Sequence, residues 1–213
     1  MERRKILKGI AALAAMESVA GIARAMGNRP VKPGVYRVSG QVSINGKPAQ
    51  EGMAVAAGDT IVTGPGSEVI YVVGQDAFLQ RDNSTVSLVG EGVKTVLRIF
   101  TGKLLSVFAK GDKRIETATA TIGIRGTGCY IESAPERVYF CLCYGRAEVS
   151  PLADPGHIEN IETRHHDHPI YIHRDGQRMM VPATVANHTD AELTLLEGLV
   201  GRYPPFYGQS GSY

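Results

Sequence analysis

From about Val31 to Val149 the chain is a succession of short runs rich in β-branched and aromatic residues, each punctuated by glycine: GVYRVSGQVSING, AVAAGDTIVTGPGSEVIYVVG, DAFLQRDNSTVSLVG, VLRIFTGKLLSVFAKG, RIETATATIGIRGTGCYIES and RVYFCLCYGRAEV. Runs of about 5 to 8 residues with no 3.6-residue period read as strands. Val69, Tyr71 and Val73 share one face of such a strand while Ile70 and Val72 share the other, because side chains alternate along an extended chain. Both faces are apolar, which places the strand between two layers rather than on a one-sided hairpin. Gly46, Gly58, Gly64, Gly66 and Gly111 mark the turns, where positive φ or close backbone approach is needed. The expected fold is all-β, a stacked β-coil or sandwich, although no repeat is strict enough to define a solenoid.

With 213 residues and 43% hydrophobic content, one sizeable core and one main domain are expected. No run of about 18 apolar residues is present to span a bilayer. Residues 1–25 have the layout of a cleaved export signal: a basic start, ERRKILKG, an alanine-rich apolar stretch, and small residues at Ala23 and Ala25. Adjacent Arg3 and Arg4 ahead of a weak apolar segment resemble the twin-arginine type, with an amphipathic N-terminal helix as the competing reading. Cleavage after Ala25 would leave 18 basic and 19 acidic residues. A nearly neutral chain without a basic stripe is a poor nucleic-acid binder, so that class is set aside. A periplasmic location, with no membrane span after cleavage, is the expectation.

Beyond Val149 the composition changes. Residues 150–168 are rich in proline, glycine, histidine and acid and read as an irregular excursion, followed by short strands at PIYIHR and QRMMVPA. HTDAELTLLEGLVGRYPPF then carries helix signals: Thr189 as N-cap, Glu192 three residues on, leucines at 193, 196 and 199, and Gly201 as a stop. This helix is expected to cover one end of the β body. The organisation read from the sequence is therefore 1–25 export signal, 31–149 β domain, 150–187 loop and short strands, and 188–213 helix and tail.

GDTIVTGPGSEVIYVVGQDAFLQRDNSTVSL, GKLLSVFAKGDKRIETATATIGIRGTGCYIE and CYGRAEV resemble, in that order, the FecR-type periplasmic domain. The resemblance covers roughly Val42 to Val149. It implies a stacked all-β body in the periplasm. In FecR-type regulators the domain follows a cytoplasmic sigma-factor-binding region and a membrane span, and relays a signal from an outer-membrane receptor. About 25 residues ahead of the mature chain are too few for such a module, so the resemblance carries the scaffold and setting but not the sigma-regulator role. An envelope protein partner is what it implies. Function must then come from what has been added to the scaffold.

The additions are thiols and imidazoles. Cys129, Cys141 and Cys143 fall within 15 residues, and His165, His166, His168 and His173 within nine. Cys141 and Cys143 share one strand face, about 6.5–7 Å apart along the strand, while Phe140 and Leu142 match the resemblance's core-facing positions. The segment RHHDHP could fold over the two thiols, giving a candidate metal set of Cys129, Cys141, Cys143, His165, His166 and His168. Mixed sulfur and imidazole donors suit zinc first, with an iron–sulfur cluster or copper as alternatives. Competing readings are buried free thiols, a disulfide from Cys129 to one of the pair, and solvated histidines. Cys141 and Cys143 are themselves an awkward disulfide at i and i+2.

Enzyme signatures are thin. There is no G-x-S-x-G, P-loop or H-E-x-x-H. His165 and Asp167 could form the first half of a 2-His-1-carboxylate iron triad, with His188 as the only distant third ligand, and HDH resembles a cupin His-x-His without its glutamate. A non-catalytic protein is expected, with a metal-dependent enzyme as the alternative.

Overall fold

The computed structural model describes residues 29–90, 95–176 and 178–209; the export-signal reading of residues 1–25 lies outside them. Among the described residues fifteen strands are formed: β1 (Gly34–Ser39), β2 (Val42–Ile44), β3 (Lys47–Pro48), β4 (Thr60–Thr63), β5 (Glu68–Val73), β6 (Asp76–Gln80), β7 (Ser84–Val89), β8 (Thr95–Val107), β9 (Asp112–Glu116), β10 (Ala120–Arg125), β11 (Gly128–Ala134), β12 (Arg137–Pro151), β13 (Glu159–Thr163), β14 (Ile170–His173) and β15 (Met180–Pro182). A single helix, α1 (Asp190–Leu199), follows. The fold is all-β with a helix near the C-terminus.

Two long strands hold the architecture together. Residues 102–107 of β8 pair with β6 and β11, whereas residues 96–101 pair with β7 and 95–98 with β9. β12 behaves alike: residues 137–144 pair with β11 and β14, and residues 145–151 with β10 and β13. Each strand therefore leaves one sheet and enters the other. The corners fall at Gly102 (φ +96°) and Gly145 (φ +97°), in a backbone region that side chains resist. A Cβ on Gly102 would lie 2.4 Å from the Ser84 Cα, and one on Gly145 2.7 Å from the Thr127 methyl.

The body core lies between the two sheets. Val69, Tyr71, Phe78, Leu104, Ile131, Phe140 and Leu142 from one sheet meet Ile61, Val86, Leu97, Ile99, Ile122 and Val149 from the other. The opposite face of the first sheet is also apolar: Ile70, Val72, Leu79, Leu105, Tyr130 and Tyr139 form a second core with Leu193, Leu195, Leu196 and Leu199 of α1. This explains why both faces of β5 are hydrophobic. Burying one leucine contributes about 1.5–3 kcal/mol, so the helix is an integral third layer.

α1 starts as its sequence requires. The Thr189 side chain accepts from the Glu192 N–H, and Glu192 Oε2 accepts from the Thr189 N–H at 2.8 Å. Arg81 donates to Glu192 Oε1 at 2.6 Å and to the Asn187 carbonyl at 3.0 Å, tying the helix start to the turn after β6. At the other end Glu197 takes the Tyr144 hydroxyl and the Arg202 Nε.

Residues 150–168 differ from the irregular excursion expected of them, because β13 pairs with β12 over residues 145–149. Only Ile161 and Thr163 of ENIET are buried, so an edge strand with a single apolar side chain carries little hydrophobic signal. No helix among the described residues is long and apolar enough to cross a membrane.

Candidate metal centre

β12 supplies the first two donors. Phe140 and Leu142 face the body core, so Cys141 and Cys143 face the helix layer, and both are completely buried. Cys143 is the second residue before the Gly145 corner.

The loop after β13 supplies the third. It is pinned to β12 by the Thr163 hydroxyl, which donates to the Leu142 carbonyl at 2.8 Å, and by the His166 N–H, which donates to the Cys143 carbonyl at 3.0 Å. His166 adopts φ +56°, and Asp167 closes the turn by accepting from the Arg164 N–H at 2.8 Å. The turn carries the His166 ring inward until Nδ1 is 3.4 Å from Cys141 Sγ.

The fourth donor arrives from a different direction. His188 immediately precedes the N-cap of α1, stacks on Tyr130 with ring centroids 4.7 Å apart, and brings Nε2 to 3.1 Å from His166 Nδ1. The donor atoms of Cys141, Cys143, His166 and His188 all lie within 4.8 Å of one another. His166 and His188 are only 4% and 5% exposed, so the set is closed to solvent.

Hydrogen bonding on the far side of each ring fixes the tautomers. The Ala186 carbonyl can only accept, so His188 donates to it from Nδ1 at 2.7 Å. The Asp190 carboxylate accepts from His166 Nε2 at 3.1 Å. In neutral rings Nδ1 of His166 and Nε2 of His188 then turn lone pairs toward each other. Metal-bound histidines are oriented in this way, by a carbonyl or carboxylate on the nitrogen away from the ion.

The two thiols are driven apart electrostatically. A hydrogen bond from Cys143 is the largest of the effects that hold Cys141 well below the usual thiol range against the opposing effect of burial. Burial, then the neighbouring Cys141, pushes Cys143 up. The pocket thus favours one thiolate in the absence of a cation, and a cation would favour two.

Cys129 is not brought to this cluster. It pairs with Leu142 in the β11–β12 ladder and so points with Leu142 into the body core, where burial raises its thiol far above the usual range. All three cysteines are free thiols, and the face inversion separates Cys129 from both candidates for a disulfide. His165 stands just outside the four donors, with Nε2 donating to Asp190 at 2.9 Å and its ring stacked on Phe206 at 4.2 Å; it buttresses Asp190. His168 is exposed. Asp167 serves its own turn, so the His165–Asp167–His188 triad is not assembled.

No family model matches the chain, and no curated protein matches it in sequence. Similarity appears in three dimensions. Two crystal structures of a "putative anti-sigma factor" from Parabacteroides distasonis ATCC 8503, at 1.65 and 2.50 Å resolution, each superpose with a TM-score of 0.50 at 10% identity. Each comparison covers 59% of this chain and 59% of the other, so the chain spans about three-fifths of those proteins' length. At that identity the likeness is one of fold.

His188, named from the sequence only as a distant third ligand of an iron triad, is the donor missing from the set proposed there with the thiols. It lies 22 residues beyond His166, outside the histidine-rich segment, yet its position carried a signal. The residue before an N-cap is normally apolar and packs on the helix's fourth residue, and here that place, opposite Leu193, holds an imidazole.

Proposed function

We propose that the chain is an exported, non-catalytic envelope module on a FecR-type β body that holds one metal ion through Cys141, Cys143, His166 and His188. The observation that carries this reading is the convergence of four donors of metal-binding type in a closed pocket, with both imidazoles oriented from behind. Four protein donors without an open position match structural rather than catalytic sites, which supports the non-catalytic reading. Zinc is the ion of choice. Two thiolates and two neutral imidazoles carry a charge of −2, which Zn²⁺ neutralises and copper(I) does not, and an uncompensated buried charge is costly. An iron–sulfur cluster is a poorer fit: the type held by two cysteines and two histidines places the pairs on two different irons, whereas these four donor atoms lie within 4.8 Å of one another, as around a single ion.

The regulatory part of the proposal is coarser. Both solved neighbours bear the anti-sigma factor name, and the scaffold resemblance in the sequence points to envelope signalling, with a protein partner. The periplasmic setting rests on the N-terminal leader.

Elemental analysis of the full chain purified from its native compartment tests the metal reading. About one zinc per chain is expected, falling to a small fraction of that in Cys141→Ser/Cys143→Ser. Protein that carries no metal as isolated, and takes up none when exposed to Zn²⁺ under reducing conditions, would overturn it.

A further inference from the structure

The four donors do not belong to one rigid unit. Cys141 and Cys143 are built into the β11–β12 ladder, and His166 is fastened to the same strand through its own N–H and through Thr163. His188 comes from the segment that enters α1 and lies outside every strand. It is followed within two residues by Asp190, which takes His166 Nε2. Three donors therefore sit on the body, and the fourth, with the support behind one of the others, sits on the helix.

We infer that the metal ion is a latch that fastens the start of α1 to the β body, so that metal occupancy regulates whether this helix stays closed on its sheet. The inference rests on the metal reading above. Without an ion, His188 keeps its stacking on Tyr130 and its approach to His166 Nδ1 but lacks the bond through which an ion would tie it to the two sulfurs of β12. His188 is the donor outside the ladders and so the one that can move, against the hold of Arg81 on Asn187 and Glu192. Outward movement of His188 unstacks it from Tyr130 and carries the capping box with it, since Thr189 is the next residue. The leucines of α1 keep the helix near the sheet, so release takes the form of local opening rather than unfolding. Opening uncovers the Tyr130 ring on which His188 stacks.

Amide hydrogen exchange on the full chain, in its Zn²⁺-loaded form and after EDTA stripping under reducing conditions, tests the latch, with zinc content measured on the same samples. Stripping is expected to speed exchange in residues 191–199 at least tenfold while leaving β10 and β12 unchanged. His188→Ala should exchange at the stripped rate with or without Zn²⁺, its unchanged strands confirming that it has folded. Zinc bound at one per chain with α1 exchange unaffected by stripping overturns the latch and leaves the metal reading intact. Loss of protection throughout the β body on stripping also overturns it, because the ion would then support the whole fold. A chain that binds no zinc overturns both.

Discussion

Cys129 and Tyr130 are consecutive in β11, and their partners across the ladder are Leu142 and Cys141. That one-residue step puts Cys129 in the body core and Cys141 beneath the helix. Cys129→Ala should therefore cost about 1 kcal/mol through the small cavity it leaves while zinc content stays at the wild-type level, measurable by urea denaturation and elemental analysis of the same preparation. A loss of zinc in that variant would place Cys129 among the ligands. The pairing of Cys141 with Cys143 was readable from their i, i+2 spacing, since alternation on a strand depends on nothing but the backbone. The divergence of Cys129 was hidden, because nearness in sequence groups it with the pair while its ladder partner, Leu142, belongs to the opposite face. His165, His166 and His168 look equivalent as letters. The turn separates them, because His166 takes a left-handed backbone conformation and is the one carried inward.

The helix and the corner strands show how differently two kinds of element announce themselves. α1 was legible to the residue, since a capping box, a leucine period and a stop glycine are local signals. Its anchoring was not, because Arg81 lies 111 positions from Glu192. Glu192→Gln isolates that anchor, as glutamine still completes a capping box while the ion pair is lost. The side chains of Arg81 and Glu192 are 24% and 11% exposed, so the expected loss is about 1–2 kcal/mol in denaturant unfolding, with metal content unchanged. β13 escaped notice for the opposite reason: an edge strand that buries two side chains has little apolar pattern to display.

At the scale of the molecule, the all-β class followed from glycine-punctuated runs, and the third layer followed from a strand apolar on both faces. The exchange of β8 and β12 between sheets was hidden, because each reads as one continuous strand and its corner is a single glycine among 25. Gly102→Ala should reveal it. The new methyl would meet Ser84 backbone at 2.4 Å as well as the strain of positive φ, and a loss of about 3 kcal/mol or more is expected. Gly46→Ala, also at positive φ but with nothing within 4 Å, should cost only about 1–2 kcal/mol. Thermal melting of the two variants side by side checks the contrast; equal losses would mean that the corner is not tightly packed.

The spread of the four donors along the chain has a consequence for the denatured state. Cys141 and His188 are 47 positions apart, with His166 near the middle. An ion held by all of them ties this stretch into two closed loops of similar size, as a pair of consecutive crosslinks would. The entropy that the unfolded chain would otherwise recover is reduced for as long as the ion remains bound. A reducing environment, which opens a disulfide, would leave this crosslink closed.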